Sequence, residues 1–151
     1  PLWRDELVLA VPTNHPWAGL PFVPLEDLIR EPFIARERGS ATRAIFEECL
    51  AARGEKGLSR FRVVCELGSS EAVKEAVLAG VGVSVLSVYA VGRELKEGTL
   101  ATVPIRECPL ERYFHLIYRQ NREFMPYHRV FMDFLRKHEL EPRNGGAEGK
   151  S

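Results

Sequence analysis

Residues 61–89, FRVVCELGSSEAVKEAVLAGVGVSVLSVY, constrain the fold more than any other stretch. Phe61-Arg62-Val63-Val64-Cys65 is a largely apolar, β-branched run of strand length. Gly68-Ser69-Ser70 follows with hydroxyls suited to capping a helix, and Glu71 puts a carboxylate in the first turn, where the helix dipole favours it. Ala72, Val73, Ala76, Val77 and Leu78 recur at helical spacing, Gly80 and Gly82 stop the helix, and residues 83–86 start a second strand. Strand, short helix and strand together read as a right-handed parallel unit. The turn that opens the helix has two readings. Its hydroxyls and free N–H groups cap the helix, or they hold a small anion at its positive end.

The same alternation extends along the chain. Residues 5–11 (DELVLAV) read as a strand that ends in the turn Pro12-Thr13-Asn14-His15-Pro16, with Trp17 packed beneath it. Residues 24–29 read as a short helical turn with proline at an early position, and Glu31-Pro32 breaks it before the strand Phe33-Ile34-Ala35. Arg36-Glu37-Arg38-Gly39-Ser40-Ala41-Thr42-Arg43 then leads into a helix over 41–53 whose apolar face is Ile45, Phe46, Cys49 and Leu50. This is a second strand-to-helix turn carrying glycine and serine. Arg36, Arg38 and Arg43 flank it, so a carboxylate, sulfate or phosphate would meet both dipole and guanidinium. The alternative is a surface arginine cluster paired with Glu37, Glu47 and Glu48. Further on come a helix over 89–98, strands over 100–105 and 112–118, and an amphipathic helix over 126–138 with Val130, Phe131, Phe134 and Leu135 inward. Residues 139–151 are polar and glycine-rich, the composition of a disordered tail. Strands alternating with helices indicate an α/β fold with largely parallel sheets.

Composition narrows the function. Basic and acidic residues balance at 21 each, and no basic stripe is present to grip nucleic acid. Cys49, Cys65 and Cys108 lie far apart with no C-x-x-C pair, which favours reduced thiols in a cytoplasmic protein. No apolar run reaches the roughly 18 residues of a membrane span. The chain opens on Pro-Leu-Trp-Arg-Asp-Glu, without a signal peptide or an initiating methionine, as the middle of a longer polypeptide would. G-x-S-x-G, H-E-x-x-H and Walker motifs are missing, and the histidines are scattered (His115 is read as a core or lobe-junction residue). No nucleophile–base or acid–base pair stands out, so neither an enzyme nor a cofactor or metal is expected.

Five ordered stretches carry a family resemblance: ELVLAVPTNHPWA, PLEDLIREPFIARERGSATRAIFEECLAARG, FRVVCELGSSEAVKEAVLAGVGVSVLSVYAV, LATVPI and YFHLIYRQNREFMPYHRVFMDFLRK. Together they resemble the effector-binding domain of LysR-type transcriptional regulators, from about Glu6 to Lys137. The resemblance implies two α/β lobes of the type-2 periplasmic-binding-protein kind, N-terminally truncated here, with the effector in the cleft between them. It assigns residues 1–32 and 120–138 to lobe one and 33–119 to lobe two, with crossovers near residues 31–34 and 118–122. The effector contacts it implies come from three turns: Pro12 and Thr13; Arg38, Gly39, Ser40 and Thr42; and Leu67, Gly68, Ser69 and Ser70. A small anionic metabolite is the expected ligand. The family also implies a homodimer or tetramer that reaches DNA only through a helix-turn-helix not contained in this chain, with no membrane partner. The competing reading is a solute-binding protein of the same fold without a role in transcription.

Overall fold

A computed structural model describes residues 2–119 and 125–137. Strand β1 (Trp3–Pro12) is its axis. Its second half pairs antiparallel with β4 (Ser84–Ser87) and β5 (Leu100–Val103), and its first half pairs antiparallel with β6 (Glu111–Phe114). β2 (Phe33–Arg36) and β3 (Val63–Leu67) pair in parallel. The two ladders meet where Phe33 bridges Val83 in parallel, with Ile34 N–H donating to the Val83 carbonyl at 2.9 Å. The order across the sheet is therefore β3-β2-β4-β1-β5. β2 to β5 share one direction and β1 alone opposes them, so the expected parallel sheet carries one antiparallel strand in its middle. Apolar periodicity places a strand but does not record the direction of its neighbours.

Side-chain alternation sorts the sheet into two cores. Leu7, Leu9 and Val11 of β1, Phe33 and Ala35 of β2, and Val83 and Val85 face α1 (Leu25–Arg30) and α2 (Ala41–Ala51). There they pack on Leu28, Ile29, Phe46 and Leu50. The rings of Phe33, Phe46 and Phe61 meet in this layer at 5.2 to 5.8 Å. Ala10, Ile34 and Leu86 face the other way, onto Val73 and Val77 of α3 (Ser70–Leu78) and Val91 of α4 (Val88–Glu97). Each fully buried Leu, Val or Phe contributes about 1.5–3 kcal/mol of transfer free energy. A one-residue slip of β1 would turn Leu7, Leu9 and Val11 to the wrong layer, so burial also sets the register. At Gly82, where β4 starts against β2, a Cβ would lie 2.5 Å from the Pro32 carbonyl oxygen, so only glycine fits.

The structure differs from the sequence reading at several places. Residues 1–32 do not stand apart from 33–119, because β1 pairs with β4 and β5, and α1 packs on Phe33 and Phe46. The chain leaves this body not near residues 31–34 but through the ribbon of Trp3–Glu6 against Glu111–Phe114. On α5 (Pro126–Lys137), Val130, Phe131 and Phe134 are exposed rather than inward, each keeping more than half of its surface. His115 is also exposed, since β6 stops at Phe114. Finally, Cys49 and Cys108 form a disulfide across 59 residues with Cα atoms 6.0 Å apart, leaving Cys65 free. The fold lays α2 against the segment after β5, a proximity that cysteine spacing cannot reveal. The expected tail at 139–151 and most of the expected crossover at 118–122 lie outside the described residues. Among those described, no helix is long and apolar enough to cross a membrane.

Candidate functional site

Four strands running the same way bring their carboxyl ends to one edge of the sheet, where α/β folds take their ligands. β2 ends in Glu37-Arg38-Gly39-Ser40 at the start of α2, and β3 ends in Leu67-Gly68-Ser69 at the start of α3. β4 ends at Ser87, whose hydroxyl accepts from Tyr89 N–H at 3.2 Å. Because β1 runs backwards, its first half, with Asp5, joins this edge. Pro12 and Thr13 lie at the opposite edge, where Pro12 stands beside Leu100 at the start of β5. These two expected contacts are therefore not brought together with the other eight.

The hydroxyls of the two turns have separate employments. Ser69 caps α3, its Oγ accepting from Ala72 N–H at 3.1 Å. The Ser70 hydroxyl accepts from Arg36 Nη1 at 2.7 Å. Thr42 is buried in the first turn of α2 and accepts from Arg112 Nη1 at 3.3 Å. Ser40 does neither. It stands at the N-cap of α2 without a side-chain cap bond, is 7% exposed, and its hydroxyl has no partner among the described residues. Gly39 before it takes φ +92°, a left-handed backbone that the tight turn needs and that glycine adopts freely. Leu67 is half-buried against the α3 layer and its carbonyl accepts from Glu37 N–H at 3.1 Å, which ties the two turns together. Gly68 has open space around it.

The charges divide in the same way. Arg36 donates from Nε and Nη2 to both oxygens of Glu37, at 2.7 and 2.9 Å, and these bonds hold the Glu37 carboxyl below its ordinary value. Arg43 donates to Glu47 at 2.8 Å and to Glu66 at 2.6 Å. The pairing reading thus holds for two of the three flanking arginines, with Glu66 in the place expected for Glu48. Arg38 is exposed and has no partner among the described residues. It borders a recess of about 610 Å³ that also takes in Gly39, Arg43, Glu47 and Lys56. A larger recess of about 800 Å³, between β1, β5 and residues 104–110, holds none of the expected site residues.

Residues that sequence reasoning missed complete the edge. The Asp5 side chain is fully buried and receives Arg112 Nε on Oδ2 at 2.6 Å and the Ser87 hydroxyl on Oδ1 at 2.7 Å. Arg112 reaches on to Thr42, so one buried carboxylate links β1, β4, β6 and α2. A signal was present: Asp5 is in phase with Leu7, Leu9 and Val11 on the buried face, and a carboxylate there needs partners. Among the described residues no cluster of His, Cys, Asp and Glu could hold a metal ion. The arrangement offers hydrogen-bond donors, hydroxyls and guanidinia to an anion.

A mainly parallel sheet wrapped by helices on both faces, with helix N-termini along one edge, defines a lobe of the periplasmic-binding-protein-like effector domains. The chain belongs to the LysR substrate binding domain family, which matches residues 1–139. It is 34% identical over 136 residues to the HTH-type transcriptional activator CmpR of Synechocystis sp., covering 90% of this chain and 43% of that protein. It is 38% identical over 133 residues to a probable RuBisCO transcriptional regulator of Cyanophora paradoxa, covering 88% of this chain and 41% of that protein. The chain therefore spans less than half the length of these curated relatives. Its fold is similar to the regulatory domain of Synechocystis CcmR in complex with 2-PG, with TM-score 0.79 and 31% identity over 91% of this chain and 64% of that one.

Proposed function

We propose that this chain is the effector-binding and oligomerisation part of a LysR-type transcriptional regulator, and that it senses a small anionic metabolite. The unpartnered hydroxyl of Ser40 at the head of α2, on a residue only 7% exposed, carries this reading. A hydroxyl that no neighbouring group engages is free to hydrogen-bond a ligand as donor or acceptor. The site residues of this reading are Arg38, Gly39, Ser40 and Thr42, with Leu67, Gly68, Ser69 and Ser70 on the neighbouring turn. Residues 2–110 form one lobe. The β1–β6 ribbon carries the chain to the other lobe, to which α5 belongs, and the effector lies between them. The protein acts in the cytoplasm as a homo-oligomer, catalyses no reaction, and meets DNA through a helix-turn-helix elsewhere in its sequence.

The likeness to CcmR suggests the class of ligand to try. Titrating the full-length protein with 2-phosphoglycolate, phosphate, sulfate and a neutral control should raise Tm with the anions, by mass action on the folded state. A Tm unmoved by any anion at millimolar concentration rules out the anion-sensing reading. One observation favours the solute-binding alternative: the Cys49–Cys108 disulfide suits an oxidising compartment. A secretion signal ahead of this chain in the gene would decide for it.

A further inference from the structure

Arg112 is a cation at the first turn of α2 that the expected contacts did not include. It stands opposite Asp5 in the β1–β6 ribbon and spends Nε on that carboxylate at 2.6 Å and one Nη1 bond on Thr42 at 3.3 Å. Its Nη2 has no hydrogen-bond partner among the described residues, its Cζ lies 5.1 Å from the centroid of the Phe114 ring, and its side chain keeps 18% of its surface. Thr42 lies two residues beyond Ser40, so the half-spent guanidinium and the unpartnered hydroxyl serve the same turn of α2. Asp5, fully buried and receiving the Ser87 hydroxyl as well, cannot follow Arg112 outward. We propose that Arg112 is the anion anchor of the effector site and that Asp5 is its fixed counter-charge, which orients the guanidinium and tempers its hold on the ligand.

The inference rests on the effector-site reading above and adds to it which residues set affinity for the anionic group. A guanidinium with one edge on a buried carboxylate keeps its other edge ready for a planar or tetrahedral oxyanion. Such a site prefers carboxylate or phosphate over a neutral isostere. The two partners also have opposite effects on a ligand: removing Arg112 removes the attraction, whereas neutralising Asp5 removes a repulsion. A purely structural ion pair would lose ligand on either change.

The test measures binding of 2-phosphoglycolate and of uncharged glycolamide to full-length wild type, Asp5→Asn, Arg112→Gln and the double variant. The double variant pairs two neutral amides, and so spares the fold an unpartnered buried carboxylate. The proposal expects Asp5→Asn to bind the anion several-fold more tightly. It expects the double variant to bind roughly tenfold or more weakly, as the loss of a charge-assisted bond does, with glycolamide unaffected throughout. Wild-type binding with equal weakening in Asp5→Asn and the double variant overturns the proposal and leaves the effector-site reading standing. Wild type that binds no anion overturns both.

Discussion

Chemically similar serines at the two turns do different work. Ser69 satisfies the free N–H of Ala72, whereas Ser40 makes no cap bond. Ser69→Ala should therefore cost about 1 kcal/mol of stability, the usual worth of an N-cap, and leave the affinity of the folded protein unchanged. Ser40→Ala should do the reverse, with Tm nearly constant and ligand affinity reduced by about 1 kcal/mol or more. Chemical denaturation and calorimetric titration of both variants separate the two roles. Matching profiles would mean that both serines only cap helices. The motif G-S at each turn was readable from the chain, but which hydroxyl remains unspent depends on Arg36 reaching Ser70 and on Arg112 reaching Thr42. Those partners lie 34 and 70 residues away. Asp5 was within reach of the sequence through its phase with Leu7, Leu9 and Val11; Arg112, brought beside it only by the pairing of β6 with β1, was not.

At the level of elements, α3 and α4 are joined on the outer layer by a nearly buried ion pair, Lys74 Nζ to Glu94 Oε1 at 2.9 Å. The hydrogen bond that Lys74 donates to Glu94 holds its ammonium above the ordinary value of 10.5. At Glu94 burial, the largest single influence, pushes the carboxyl upward, but the bond from Lys74, a backbone hydrogen bond and the charges of Lys74 and Arg93 together outweigh it and leave the group below 4.5. A depressed carboxyl contributes stability that is present above 4.5 and lost as pH falls through its folded value. A raised ammonium contributes stability present below 10.5 and lost as pH rises through its folded value. The pair thus supports the fold across the whole neutral range. Lys74→Met strands the carboxylate and should cost about 3 kcal/mol or more at pH 7. The deficit should shrink toward pH 4, as Glu94 takes up a proton. Urea melts of wild type and variant at both pH values give the comparison, and a deficit that grows on acidification would contradict this account of Glu94. Sulfur supplies a second tie, because Cys49–Cys108 fastens α2 to the segment that feeds β6. Cys49→Ser with Cys108→Ser should lower stability by about 2–4 kcal/mol under non-reducing conditions, as expected for a loop of that length. Under strong reductant the difference from wild type should vanish, and a difference that persists would mean the two sulfurs act through packing alone.

Across the whole molecule, the order of elements was largely readable because each strand and helix is long enough to show its own period. Residues 61–89 did fold as strand, helix and strand, yet β2 inserts between β3 and β4. The direction of β1 was not readable, and that direction decides which turns share an edge. It sets Pro12 and Thr13 at the edge opposite the two glycine–serine turns and Asp5 at the same edge as those turns. The β1–β6 ribbon extends from the same strand, and on α5 the side chains of Val130, Phe131 and Phe134 are exposed. The likeness to LysR effector domains carries the class of function, while the edge of the sheet carries the site.

The measurement that bears most directly on that edge is the backbone amide spectrum of the isotope-labelled full-length protein during titration with 2-phosphoglycolate. The account predicts saturable shifts at Gly39–Thr42, Gly68–Ser70 and Arg112, with Thr13 and Asn14 unmoved. Shifts centred on Thr13 and Asn14, or on residues 102–110 around the larger recess, would place the ligand elsewhere and contradict it.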